Sequence, residues 1–154
     1  MDEFTIRKAR LQDLDKLLVF EQGVIAYERP FDATLQQGQI HYYDIEKMII
    51  ATDVELLVAE IKGEIVGSGY ARIENAKPYL KHPQHAYLGF MYVVPEQRGK
   101  GINKKIIDAL EKWAASKNIT EMRLDVYQPN EAAIKAYEKV GFAKHMVEMR
   151  KGIM

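Results

Sequence analysis

Apolar and polar positions change period several times along the chain, and each change marks an element. Phe4-Thr5-Ile6-Arg7-Lys8-Ala9 alternates and predicts a short strand. Leu14, Leu17, Leu18 and Ile25 then recur near helical spacing. Asp13 and Asp15 fall in the first turn, where negative charge suits the helix dipole. This predicts a helix from Asp13 to Tyr27, stopping before Pro30. Ile45, Met48 and Ile49 predict a second helix between Tyr42 and Ala51. Leu56 to Ile61 and Ile65 to Ile73 predict a hairpin that turns through Lys62-Gly63-Glu64. Asn75, Pro78, His82 and Pro83 mark residues 74 to 85 as a loop. Ala86 to Val94 carries no Lys, Arg, Asp or Glu and predicts a central strand buried on both faces.

The second half is more regular. Ile102, Ile106, Leu110 and Trp113 line one face of a helix from Gly101 to Ser116. Met122, Leu124 and Val126 alternate with Arg123, Asp125 and Tyr127, which predicts another strand. Asn130 is placed to cap a helix running to Val140, and Gly141 suits the position that ends it. Phe142 to Met149 predicts a last strand. The expected order is β-α-α-β-β-β-α-β-α-β. It describes an α/β fold with a mixed sheet and a parallel strand–helix–strand crossover in its second half.

Length and composition narrow the classes. A chain of 154 residues fits one domain, residues 1 to 154, since two separate cores would each be marginal. With 47% hydrophobic and 29% charged residues, disorder and collagen-like structure are excluded. There is no Cys, so a disulfide scaffold, a zinc–thiolate site and a thiol nucleophile are excluded. Lys plus Arg and Asp plus Glu are both 22, and the absence of a basic excess argues against a nucleic-acid partner. No apolar run is long enough to span a membrane, and Met1-Asp2-Glu3-Phe4 does not resemble a secretory leader. A cytoplasmic protein is expected, and a homodimer stays open. The four His are scattered, with no metal-ligand spacing.

The chemistry concentrates after the central strand, in Pro95-Glu96-Gln97-Arg98-Gly99-Lys100-Gly101-Ile102-Asn103-Lys104-Lys105. The first turn of a helix has N–H groups without intrahelical partners, and the dipole makes that end positive. Gly99 and Gly101 let an anion approach the backbone, and Arg98, Lys100, Lys104 and Lys105 add charge. A phosphate or pyrophosphate site has these features. So does an ordinary strand–helix turn with a solvated basic face. Neither of the commoner nucleotide motifs, G-x-x-x-x-G-K-[ST] and G-x-G-x-x-G, is present.

Arg98-Gly99-Lys100-Gly101 after Tyr87 to Gln97, followed by Asn130-Glu131-Ala132-Ala133-Ile134-Lys135-Ala136-Tyr137 and Gly141-Phe142, resembles the GNAT superfamily of acyl-CoA-dependent N-acetyltransferases. The first segment is similar to its [RQ]-x-x-G-x-[GA] signature, with Arg98 and Gly101 in register. The second is similar to its N-x-x-A-x-x-x-Y-x-x-x-G-F segment. Asn103 stands where the first signature ends in Gly or Ala, and its amide is expected to donate a hydrogen bond rather than crowd the phosphates.

The resemblance implies acetyl-CoA as cosubstrate and no metal. It implies pyrophosphate on the N–H groups of Arg98, Gly99, Lys100, Gly101, Ile102, Asn103 and Lys104. It implies pantetheine along Met91, Tyr92 and Val93 as an added strand, with an N–H near Met91 or Tyr92 polarising the thioester carbonyl. Asn130 would double as helix cap and cofactor contact. Tyr137 would be the catalytic acid, protonating the departing thiolate. No base is fixed by the resemblance; Glu21, Glu28, Glu74, His82, His85 and Asp125 are candidates. The acceptor, a small-molecule, amino-acid or peptide amine, is expected between the first two helices and the loop at 74 to 85. Tyr27, Glu28, Arg29, Phe31, Asp32, His41, Tyr42, Tyr43 and Asp44 supply aromatic and acidic side chains there. A non-catalytic acyl-CoA sensor on the same fold is the alternative. A toxin acetylating aminoacyl-tRNA is disfavoured by the zero net charge.

Overall fold

The computed structural model describes residues 3–154. Its sheet has five strands in the order β1-β2-β3-β4-β5: β1 (Thr5–Lys8), β2 (Val54–Ile61), β3 (Glu64–Asn75), β4 (Gln84–Val93) and β5 (Met122–Arg123). The first three pairings are antiparallel and β4–β5 is parallel. The parallel pair is bridged by α3 (Ile102–Ser116), as a parallel connection requires. The remaining helices are α1 (Leu14–Glu28), α2 (Ile45–Ile50) and α4 (Glu131–Lys139). Among the described residues no helix is long and apolar enough to cross a membrane.

The alternation of the strands sorts the core into two layers. Ile102, Ile106, Ile107 and Leu110 of α3 pack on Leu57, Ala59, Ala71, Ala86 and Leu88 on one face. Leu17 and Phe20 of α1 and Ile45, Met48 and Ile49 of α2 pack on Leu56, Val58, Tyr70 and Phe90 on the other. Each such fully buried side chain contributes about 1.5–3 kcal/mol of transfer free energy. Trp113 is only partly buried, at the margin of the α3 layer rather than inside it.

Four expectations need correction. The loop expected at 74 to 85 shrinks to residues 76 to 83, because Glu74 pairs with His85 and Asn75 with Gln84 in the β3–β4 ladder. The central strand is not buried on both faces along its length: Met91, Tyr92 and Val93 are only partly covered. The strand expected over Met122 to Tyr127 is two residues long. It pairs only Met122 with Ala86 and Arg123 with Tyr87. The cause lies in β4, where Gly69 faces a register shift and Phe90 takes φ 56°, a left-handed conformation that is rare for a bulky side chain. Such a bulge bends its strand, and β4 makes no further pairing with residues 124 to 127. The last strand expected at Phe142 to Met149 does not form. Among the described residues the segment pairs with no strand of the sheet, and Met146, Val147 and Met149 are 82%, 76% and 89% exposed.

Candidate active site

The bulge creates the site. Beyond Tyr87, β4 has no strand partner on its β5 side, so the main chain of Leu88 to Val93 presents an open edge there, its Val93 carbonyl taken by the Arg98 side chain. Two close approaches fix the bulged strand from the α1 side. The ring of Tyr92 lies where Gly23 of α1 has no side chain, 2.7 Å from the position a Cβ would take. The Tyr70 hydroxyl comes within 2.5 Å of the corresponding position at Gly89. The Ser68 hydroxyl donates to the Phe90 carbonyl at 2.9 Å, which holds the bulge in place.

Directly after this edge comes the glycine turn. Gly99 and Gly101 have φ 78° and 84°, with open space where a side chain would stand. Among the described residues, no acceptor of the chain is hydrogen-bonded to the N–H groups of Gly99 to Lys104; the first closing bond is Lys105 N–H to Gly101 O at 3.1 Å. Uncommitted donors at a helix N-terminus beside open space fit a phosphate group. The side chains are more engaged than the sequence indicates. Arg98 turns back, its Nε donating to the Val93 carbonyl at 2.8 Å and its guanidinium lying 5.6 Å from the Tyr92 ring centroid. Lys100 donates to Gln97 at 3.0 Å, and Lys104 pairs with Asp108 at 3.0 Å. Asn103 is half-buried in the first turn of α3.

Tyr137 packs on the same apolar cluster as Met91, Val93 and Ile102, with its ring edge-on to Phe142 at 5.9 Å. Burial pushes its phenol up to about 12, so it is neutral and able to donate near neutral pH. Asn130 caps α4 by accepting from Ala133 N–H at 3.3 Å, and the same oxygen accepts from the Tyr27 hydroxyl at 3.3 Å. The end of α1 is thereby tied to the start of α4. Phe31 stacks on Tyr127 at 5.9 Å, and the Tyr127 hydroxyl donates to Asp32 at 3.2 Å, which closes the same side.

The candidate bases separate by their partners. Glu21 is fully buried, accepting from the Tyr42 and Tyr43 N–H groups at 2.8 Å each and from His41 at 2.7 Å. Glu74 accepts from Arg72 at 2.6 Å and meets His85 at 3.3 Å. His82 is held by Glu121 at 3.2 Å. Asp125 accepts from Tyr87 at 3.1 Å. Glu28 is left half-buried at the end of α1, raised above the ordinary carboxyl range by burial.

Several lining groups escaped the sequence reading. Tyr127 sits in a segment expected to be strand, and its alternation gave no face. Arg72 lies between the rings of Tyr70 and Tyr87, at 5.6 and 5.5 Å, through a register that only the paired strands define. The Phe90 bulge left one trace, the neighbouring Gly89, which reads equally as plain strand. In the expected acceptor region, Tyr43 packs on Phe90 at 4.8 Å, Asp44 caps α2, and Arg29 donates to Gln36 and Gly38 carbonyls.

Comparison with known proteins agrees with this geometry. A Bacillus halodurans protein, solved in mutant form, superposes with a TM-score of 0.87 at 17% identity, covering 97% of this chain and 99% of its own. An acetyltransferase of Clostridium acetobutylicum, solved with acetyl-CoA, superposes with a TM-score of 0.69 at 21% identity, covering 96% of each chain. At these identities the likeness establishes the fold. In sequence, an acetyltransferase of Pectobacterium atrosepticum is 34% identical over 99 residues, and the match covers 64% of each protein's length. The model of the acetyltransferase (GNAT) family matches residues 20–142, from α1 through the Gly141-Phe142 end of α4, and the chain therefore belongs to the GNAT acetyltransferase family.

Proposed function

We propose that the protein is an acetyl-CoA-dependent N-acetyltransferase, the whole chain serving as one domain. Its reaction moves an acetyl group to a primary amine of a small molecule, amino acid or peptide by direct attack on the thioester. One observation carries this reading: the edge of β4 without a strand partner runs into the uncommitted donors of Gly99 to Lys104, and Tyr137 packs on the same apolar cluster as Met91, Val93 and Ile102. The Clostridium neighbour that was solved with acetyl-CoA supports the choice of cosubstrate.

In this reading the N–H groups from Gly99 to Lys104 receive the pyrophosphate, that of Arg98 being bonded to the Pro95 carbonyl at 3.3 Å, and the main chain of Met91 to Val93 receives pantetheine as an added strand once Arg98 releases the Val93 carbonyl. Asn103 adds its amide at the same turn. Asn130 commits its oxygen to Tyr27 and Ala133 and keeps its NH2 group for the coenzyme. The N–H at Met91 or Tyr92, next to the bulge, stabilises the oxygen charge that develops as the amine attacks. Tyr137 donates a proton to the sulfur as the C–S bond breaks.

The test is free-thiol release from acetyl-CoA across a panel of primary amines, with titration of coenzyme A alongside. Amine-dependent release with one acetylated product is expected. Coenzyme A binding without amine-dependent release would make the chain a binding module instead.

A further inference from the structure

Glu28 occupies a distinctive place. It ends α1 between two anchors: Tyr27, hydrogen-bonded to Asn130 at 3.3 Å, and Phe31, stacked on Tyr127 at 5.9 Å. These contacts turn the end of α1 toward α4, the helix that carries Tyr137. The phenols of Tyr42, Tyr43, Tyr127 and Tyr137 all lie within electrostatic reach of its carboxylate. Among the described residues no Lys or Arg pairs with it; neighbouring Arg29 is spent on two backbone carbonyls. The Tyr42 hydroxyl is buried without a partner at ordinary hydrogen-bond geometry; burial raises it most, and among its neighbours Glu28 acts on it most strongly. The other acids on this side are engaged. Asp32 accepts from Thr34 N–H at 2.9 Å and from Tyr127, and Asp125 accepts from Tyr87.

We infer that Glu28 is the carboxylate that receives the acceptor's ammonium group and removes its proton, inside a ring of phenols that suits a compact cationic amine. The inference rests on the acetyltransferase reading above. A carboxylate that no Lys or Arg neutralises, set among tyrosine phenols, recognises a cation through its charge, with aromatic rings close by. The proton balance closes. The ammonium gives one proton to Glu28, and the freed lone pair forms the C–N bond at the thioester carbon. The C–S bond breaks, and the sulfur takes the Tyr137 proton. The nitrogen's surplus proton restores the phenol, and the proton on Glu28 leaves to water. Burial raises Glu28, which makes it a stronger base near neutral pH.

Glu28→Gln keeps the shape and removes the base. With an alkylamine acceptor, kcat/KM should fall on the order of 10²- to 10⁴-fold, with KM for the amine raised. Coenzyme A affinity and melting temperature should stay at the wild-type values, and Glu28→Asp should recover part of the rate. An alkoxyamine, already uncharged at neutral pH, should lose much less, a split that a merely structural role would not produce. Equal losses for both amines, or an unchanged kcat/KM in Glu28→Gln, would overturn the assignment while leaving the acetyltransferase reading intact. A wild-type protein that releases no thiol with any amine would overturn both.

Discussion

Glu21 and Glu28 stand two turns apart on α1, and their surroundings give them opposite jobs. Glu21 is sealed from solvent, and its carboxylate holds the 41–43 segment through two backbone N–H groups and His41. Removing it leaves those donors without an acceptor, and each desolvated donor left unpaired costs about 1–3 kcal/mol. Glu21→Ala should therefore lower unfolding free energy by roughly 2–5 kcal/mol in denaturant melts. An unchanged midpoint would show that the segment is held by its aromatic packing alone. Both acids read alike in the sequence. What separates them is position along the buried stripe of α1: Leu17, Phe20, Glu21 and Ile25 are buried, and Glu28, at the helix end, is only half-buried. The helical apolar pattern gave the helix, but a buried acid does not contribute to such a pattern. Tyr137, by contrast, is singled out by resemblance, through the N-x-x-A-x-x-x-Y-x-x-x-G-F segment; the structure places it on α4, and its role there belongs to the proposal.

At the scale of elements, the α3 N-terminus is the part that a substitution can probe without disturbing the fold. Asn103 lies in the first turn, where a carboxylate is favoured by the helix dipole, worth about 0.3–1 kcal/mol. Asn103→Asp should leave the melting temperature equal or higher. Coenzyme A binding should weaken, since the new charge competes with phosphate for the same N–H groups. Titration showing unchanged affinity would remove the pyrophosphate from this turn. A second element-level contact joins β1, α1 and β2. Arg7 forms a two-pronged pair with Asp13 at 2.8 and 3.0 Å and also reaches Glu60 at 3.2 Å. Chiefly through that hydrogen-bonded pair, Arg7 holds the Asp13 carboxyl below its ordinary range. Such a group contributes stability that is present above its unfolded pKa of about 3.9 and is lost as pH falls through the folded value. Asp13→Asn should be less stable than wild type at neutral pH, and urea melts should show that gap closing below about pH 4. A gap independent of pH would mean that the pair contributes by packing alone.

The element order was readable as far as α4 because periodicity reports burial. It failed where pairing rather than burial decides. Met122 to Tyr127 alternates as a strand should, yet only two residues pair with β4, which carries the Phe90 bulge beyond them. Phe142 to Met149 has apolar residues but among the described residues pairs with no strand of the sheet, and Met146 next to Val147 breaks the two-sided pattern.

Across the whole molecule, the candidate site draws on three parts, two of them consecutive in the chain and the third distant from both. They are the open edge of β4, the glycine turn that starts α3, and the Tyr137 phenol on α4, with the end of α1 fastened alongside through Asn130. The measurement that tests this assembly most directly is the turnover of Tyr137→Phe against wild type, with acetyl-CoA and an accepted amine. The ring remains, so its packing on Phe142 and the affinity for coenzyme A should change little. The phenol near 12 is lost as a donor, and kcat and kcat/KM should fall together, on the order of 10²- to 10⁴-fold. A Tyr137→Phe enzyme with undiminished turnover would contradict the account, leaving Tyr137 as a packing residue and the proton to come from water.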